Sequence, residues 1–199
     1  MAKRIFDIGV AAVLLVVFAP VLAVIAVCVK RDSTGSILFR QQRVGRFGTP
    51  FDIYKVRTMV ENQDNPGPQV TSGSDPRITN SGRFLRRYKL DELPQLFNIL
   101  KGDMSFVGPR PEVPKYVSHW SEQDRQQILS VRPGMTDPAT IKFRDEEEIL
   151  KSADDPERYY IETILPEKLA LYRAYIADRT FIGDLGIIAK TLARVLAVG

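Results

Sequence analysis

At 199 residues, 44% hydrophobic and 26% charged, the chain is long enough for one compact domain with a real core. Its net charge of +4 suits a phosphate-bearing partner or an anionic membrane surface, without choosing between nucleic acid, lipid and nucleotide. A single cysteine, Cys28, and a single histidine, His119, exclude an intramolecular disulfide and leave no basis for a Cys/His zinc site or a Ser/His/Asp triad.

From Ile8 to Val29 the chain runs 22 residues without a charge, enough as a helix to cover the ~30 Å hydrocarbon core of a bilayer. The run is too long for the apolar part of a signal peptide, and Lys30-Arg31 follow it at once. Lys3-Arg4 precede it, so positive charge flanks both ends, where a simple spanning helix would carry the excess on one side. Pro20 removes a backbone hydrogen bond and predicts a bend. These features leave two readings open: a helix that spans, and one that dips into a single leaflet and returns.

Residues Ile37 to Met59 read as a hairpin with a Gly-containing turn at Val44-Gly45-Arg46-Phe47-Gly48. Period-two alternation puts Lys55 and Arg57 on one strand face about 7 Å apart, a spacing that could span a diphosphate; an edge strand with protective charges is the alternative. Glu61 to Asp75 is rich in Gly, Pro, Asn and Ser and reads as a polar loop. Gly82-Arg83-Phe84-Leu85-Arg86-Arg87 then forms a basic helical turn, in which Arg86 is the first candidate for phosphate contact.

The stretch Lys89-Leu90-Asp91-Glu92-Leu93-Pro94-Gln95-Leu96 organises the rest. Leu90, Leu93, Leu96, Phe97 and Leu100 recur at helical spacing, and Pro94 belongs in the first turn of that helix, where its missing N–H costs nothing. Asp91 therefore falls at or just before the helix start with Glu92 beside it. There the helix dipole is expected to keep a carboxylate ionised and to favour a bound anion. An ionised aspartate beside a phosphate can be a nucleophile, and a neighbouring glutamate can hold a divalent cation. An ordinary helix cap is the alternative. The helix should stop near Lys101-Gly102. In Gly108-Pro109-Arg110-Pro111 two fixed φ angles flank a guanidinium, so little entropy is lost in aiming Arg110 at phosphate.

Trp120 to Val131 reads as a polar helix halted by Arg132-Pro133-Gly134, and Asp145-Glu146-Glu147-Glu148 as a solvated helix start. Helical periodicity resumes from Pro156 to Asp178. In the last segment, Thr180 to Val198, Phe181, Leu185, Ile188, Leu192 and Val195 share a stripe, suited either to a membrane interface with Lys190 and Arg194 snorkelling or to packing on the core.

With these pieces in place the chain resembles the bacterial sugar transferase family, the monotopic phosphoglycosyl transferases. The likeness is carried by Lys3-Arg4-Ile5-Phe6-Asp7, Tyr54-Lys55-Val56-Arg57-Thr58-Met59, Leu90-Asp91-Glu92-Leu93-Pro94-Gln95-Leu96, Lys101 to Pro111 and Arg132-Pro133-Gly134, in family order over nearly the whole length. The resemblance implies transfer of a sugar-1-phosphate from a UDP-sugar to a polyprenyl phosphate such as undecaprenyl phosphate, with release of UMP, as the first membrane step of lipid-linked glycan assembly. It implies a two-step course in which Asp91 forms a covalent phosphosugar intermediate, Glu92 with Asp91 binds Mg2+, Lys55, Arg57, Arg86 and Arg110 hold phosphates, and Asp184 supports the site.

The fold implied is α+β, mainly α: a re-entrant membrane helix over 1–31, broken at Pro20, and a cytoplasmic catalytic domain over 32–199. That domain comprises a short β-hairpin and a compact helical part with interfacial amphipathic helices, forming one structural unit with the membrane helix. The resemblance places the chain at the cytoplasmic face of a bacterial inner membrane.

Two departures are visible. Ala19-Pro20 stands where the family commonly has Ser-Pro, so another group must satisfy the freed carbonyl. Met135 to Arg144 departs from the common Thr-Gly-Trp-Ala continuation, which bears on donor identity rather than reaction class. The competing expectation is a membrane-anchored, non-catalytic phosphate or nucleotide-sugar binding or scaffold protein. Nucleic-acid binding is not expected, because the basic residues are interleaved with acidic ones and form no recognition helix. Sugar identity, glycan pathway and oligomeric state are not encoded in any of these motifs.

Overall fold

The computed structural model describes residues 1–60 and 75–197; apart from Asp75, the polar loop expected over 61–75 lies outside the described residues. The uncharged N-terminal run becomes the centre of α1 (Ala2–Asp32), 31 residues and hence about 46 Å long. It is long and apolar enough to cross a membrane. The helix continues through Pro20 and is not divided into two there. A single missing donor removes one rung of the ladder, and its neighbours carry the helix past it.

Few residues of α1 are buried, and those lie towards its two ends: Asp7 and Ala11, then Ile25 and Val29. Val13, Val16, Val17, Val21 and Val24 between them are exposed. At the N-terminal end the Arg4 guanidinium donates to Ile99 O (2.6 Å) and Leu100 O (3.0 Å). These carbonyls lie in the last turn of a helix, where Ile99 O also accepts from Gly102 N at 3.1 Å. The Asp7 carboxylate accepts from Phe106 N at 3.3 Å. At the other end Asp32 Oδ2 accepts from Ser81 N and Ser81 Oγ, both at 2.7 Å.

β1 (Leu38–Val44) and β2 (Pro50–Val56) form the expected antiparallel hairpin, in register from Leu38 opposite Val56 to Val44 opposite Pro50. Its turn is a short 3-10 segment, Arg46–Gly48, with Phe47 and Gly48 at positive φ. α2 (Asn80–Arg87) starts at Thr79, whose hydroxyl accepts from Gly82 N. The central helix α3 (Gln95–Lys101) stops at Gly102, φ 96°. β3 (Ser105–Val107), α4 (Pro114–Val117) and α5 (Glu122–Ile128) follow. α5 is shorter than expected because Ser121 caps it late, and it ends well before Gly134. Gly134 itself opens β4 (Gly134–Thr136), which pairs in parallel with β3. That pairing, between two three-residue segments, had no local signature.

The segment that departs from the family pattern thus supplies a strand and α6 (Pro138–Lys142), whose cap is the buried Asp137. α7 (Glu146–Lys151), α8 (Pro156–Tyr159), a π-helical turn over Tyr160–Ile164, α9 (Leu165–Asp178) and α10 (Phe181–Leu196) complete the chain.

Among the described residues a small apolar cluster of Ile25, Val29, Val56 and Leu85 and two larger ones hold this together. One gathers Tyr116, Trp120, Leu150, Ile164, Leu165 and Tyr172 from the later helices. The other joins α1, β2 and α3 through Ala11, Ile53, Leu96, Ile99 and Met104. α10 packs against α6, β3 and β4, yet Phe181, Ile182, Leu185, Leu192 and Leu196 remain exposed. Both expectations for this helix therefore have a face: one on the protein, one apolar and open.

Asn98, fully buried, fixes α3 to the hairpin: its Oδ1 accepts from Tyr54 N (3.0 Å) and its Nδ2 donates to Asp52 O (2.7 Å). Asn98→Ala should leave the part-buried Tyr54 N–H and Asp52 carbonyl without these partners, costing about 1–3 kcal/mol in all. Chemical denaturation of the detergent-solubilised protein would read that loss as a lower midpoint.

Candidate active site

The turn between α2 and α3 bends through Lys89, which adopts the left-handed conformation at φ 56°. Leu90–Glu92 then form one 3-10 turn, and Pro94 opens α3. Asp91 and Glu92 consequently sit in the turn before the helix, not on its first residues, and both are buried.

Glu92 is gripped from two directions. The Arg110 guanidinium lies fork-on to it, Nη2 at 2.5 Å from Oε1 and Nη1 at 3.4 Å from Oε2. Lys55 Nζ, from β2, reaches the same Oε1 at 3.0 Å. Burial alone would push the Glu92 carboxyl up, but Arg110 and Lys55 together hold it well below the usual carboxylate range. The same burial pulls the Lys55 ammonium down, with Glu92 opposing. Glu92 is thus a fixed anion.

Asp91 behaves oppositely. Burial raises its carboxyl; Lys55 opposes the rise and the neighbouring Glu92 adds to it. Desolvation outweighs the favourable charges around Asp91, including the helix dipole expected to favour its ionised form, so the net shift is upward. Its Oδ1 is buried and has no hydrogen-bond partner among the described residues. Two adjacent carboxylates are therefore pushed apart in acidity, one serving as a permanent charge and the other as a more basic group, a pattern that separates chemical roles. A more basic carboxylate is the better nucleophile when ionised.

Arg110 is aimed by the backbone as much as by its prolines. Gly108 and Gly134 meet face to face, with Gly108 N donating to Thr136 O (3.1 Å) and Gly134 N to Pro109 O (3.0 Å). A Cβ on Gly134 would run into the backbone of Gly108. Arg43 secures the residue that follows Arg110, donating to Pro111 O at 2.9 Å.

The remaining candidates divide. Arg86 lies near enough to Asp91 for its charge to favour the ionised carboxyl. Its Nε donates to Thr58 Oγ1 (2.9 Å) and its Nη1 pairs with Glu147 Oε1 (2.9 Å). Glu147, expected only as part of a solvated run, is therefore Arg86's tether. Arg57 is not brought to the cluster: β2 ends at Val56, and the buried guanidinium turns to donate to Ser33 O (2.8 Å) and Thr34 O. The alternation that paired it with Lys55 fails one residue beyond the strand. Asp184 also stands apart from the acidic pair. It pairs with Lys3 and accepts from Tyr175 Oη (2.8 Å), while Lys3 Nζ donates to Val107 O (2.8 Å). Its contribution is to pin α1 and α10 to the strand that leads into Arg110.

Among the described residues no three Asp, Glu, His or Cys side chains gather as a metal cage. Mg2+ does not need one: it takes one or two carboxylates and completes its shell with water and substrate phosphates. Asp91 with its unpartnered oxygen, beside Glu92, fits that donor set.

The sequence profile of the family described as bacterial sugar transferase matches residues 1–198. A UDP-glucose:undecaprenyl-phosphate glucose-1-phosphate transferase of Caulobacter vibrioides is 35% identical over 199 residues, covering 98% of this chain and 70% of the relative. An Escherichia coli protein of the same description is 42% identical over 172 residues, covering 82% of this chain and 36% of its own length. An undecaprenyl-phosphate galactose phosphotransferase of Salmonella typhimurium is 34% identical over 209 residues, 98% of this chain and 40% of the relative. The chain thus spans most of the first relative and well under half of the other two.

Proposed function

The chain belongs to the bacterial sugar transferase family, and from that premise we propose that it is a phosphoglycosyl transferase. It moves a sugar-1-phosphate from a UDP-sugar to undecaprenyl phosphate or a similar polyprenyl phosphate, releasing UMP, in the first membrane step of lipid-linked glycan assembly. The observation that carries this reading is the split acidic pair: Glu92 clamped by Arg110 and Lys55, and Asp91 beside it more basic and with an oxygen to spare.

In the first step an Asp91 carboxylate oxygen attacks the β-phosphorus. An Asp91 O–P bond forms, the bond from that phosphorus to the oxygen bridging the α-phosphate breaks, and UMP leaves with the bonding pair. In the second, a phosphate oxygen of the polyprenyl acceptor attacks the same phosphorus and the Asp91 O–P bond breaks. The products are the polyprenyl diphosphosugar and a regenerated carboxylate. Lys55, Arg86 and Arg110 supply positive charge along the diphosphate, which is where phosphoryl transfer needs it. Arg57 is left out of that set because its guanidinium fastens the chain that follows α1. Asp91 and Glu92 would hold Mg2+ together with the donor diphosphate, and the ion when bound adds charge neutralisation on the phosphates.

α1 gives the chain its attachment to a membrane. We read it as monotopic, with the remainder of the chain on the cytoplasmic side of a bacterial inner membrane. Supporting this, both ends of α1 are held by the same domain, Arg4 by the end of α3 and Asp32 by the start of α2. A helix whose ends lay on opposite sides of a bilayer could not keep both attachments unless that domain were itself immersed. α10, which carries further exposed apolar residues, adjoins α1 through the Phe6–Phe181 ring contact.

The test is a panel of UDP-sugars, including UDP-glucose and UDP-galactose, offered to the purified protein in detergent with Mg2+ and undecaprenyl phosphate. Release of UMP that depends on the lipid, with a radiolabelled sugar phosphate trapped on Asp91 when lipid is withheld, is the expected result. Binding of UDP-sugars without UMP release from any of them would instead favour a non-catalytic, membrane-anchored binding protein.

A further inference from the structure

Gln95 follows Asp91 by four residues and Glu92 by three, about one turn along a backbone that winds from the 3-10 turn into α3. The backbone between them is right-handed throughout, with Leu96 N donating to Leu93 O and Phe97 N to Pro94 O. Gln95 is completely buried, and neither its Nε2 nor its Oε1 has a hydrogen-bond partner among the described residues. Asn98, one turn further on and equally buried, differs in that its amide is fully used in holding the hairpin. A buried amide without partners forfeits the hydrogen bonds it had in water, and native proteins keep very few of them.

The second unpartnered group in this turn is the Asp91 carboxylate oxygen. The two are complementary: Nε2 is a donor, and an ionised Asp91 Oδ1 is an acceptor that no described residue satisfies. We propose that Gln95 is a positioning residue for Asp91, its Nε2 donating to the Asp91 carboxylate in the donor-bound state and turning the attacking oxygen towards phosphorus. The proposal rests on Asp91 being the nucleophile. Since Gln95 makes no bond that the fold uses, it predicts that the polar atoms of Gln95 serve turnover and cost stability.

Gln95→Met, close in length and shape but without polar atoms, separates these effects. Expected is a kcat lowered about 10- to 100-fold, with KM for the UDP-sugar within about twofold of the parent. Labelling of Asp91 should slow in parallel, and the melting temperature should be unchanged or raised. A Gln95→Met enzyme that turns over within about twofold of the parent overturns the proposal. So does one whose melting temperature falls by several degrees, since Gln95 would then be a structural residue with an internal partner, and so does a rise in KM at constant kcat. If the unmodified protein releases no UMP, the functional reading falls and this inference with it. Normal parental turnover with an undiminished variant removes the inference alone.

Discussion

An Asp91→Asn variant is expected to lose turnover by on the order of 10^4-fold or more, along with the covalent phosphosugar label, while its melting temperature holds or rises. The substitution keeps size and shape and removes only the capacity to form an O–P bond as a carboxylate. Stability moves the other way because of where the carboxyl sits. Burial raises its folded-state pKa, Lys55 partly offsets this and Glu92 adds to it. A carboxyl with a raised folded-state pKa favours the fold only while protonated, and it costs stability once pH has risen through that value. Asparagine cannot ionise, so at neutral pH that cost disappears, the usual relation between a functional residue and the fold that carries it. Thermal unfolding and UMP release, measured in the same detergent, read both effects. Full turnover by the variant would return the chain to the reading of a non-catalytic binder.

How much of this was legible in the sequence depended on how local the determining physics is. The apolar run of α1, the hairpin around Gly45 and Gly48, and the helix that Pro94 opens and Gly102 ends were all set by neighbours a few residues apart. Lys55, Arg110 and the acidic pair were picked out by residue type and by rigid flanking backbone, and the fold gathers them. What escaped was set at a distance. Arg57 obeyed strand alternation until the strand ended, and then found carbonyls 23 and 24 residues earlier in the chain. The parallel contact of β3 with β4 depends on two glycines approaching across a long connection. The upward shift at Asp91 was not legible because a dipole can be read from a helix start, whereas desolvation depends on everything packed around it.

Arg110→Met should both unfold the protein more easily and abolish turnover, and the two losses should be separable. In the parent, Arg110, itself half-buried, grips the buried Glu92 with both terminal nitrogens. Removing one partner of a buried pair leaves the other charge uncompensated, typically about 3–5 kcal/mol. Lys55 stays within 3.0 Å of the same carboxylate, so the loss should fall at the low end of that range. Arg110→Lys keeps the charge without the fork and should recover only part of the stability. The double variant Glu92→Gln with Arg110→Met tests the cause directly. No buried carboxylate then remains to be compensated at that position, and burial already weakens the hold of Lys55 on its proton. Stability should therefore return towards the parent while UMP release stays absent, because both the diphosphate clamp and the fixed anion are gone. If the double variant were instead less stable by the sum of the two single losses, Arg110 and Glu92 would be acting independently. The split in acidity between Asp91 and Glu92 would then need a source other than this ion pair.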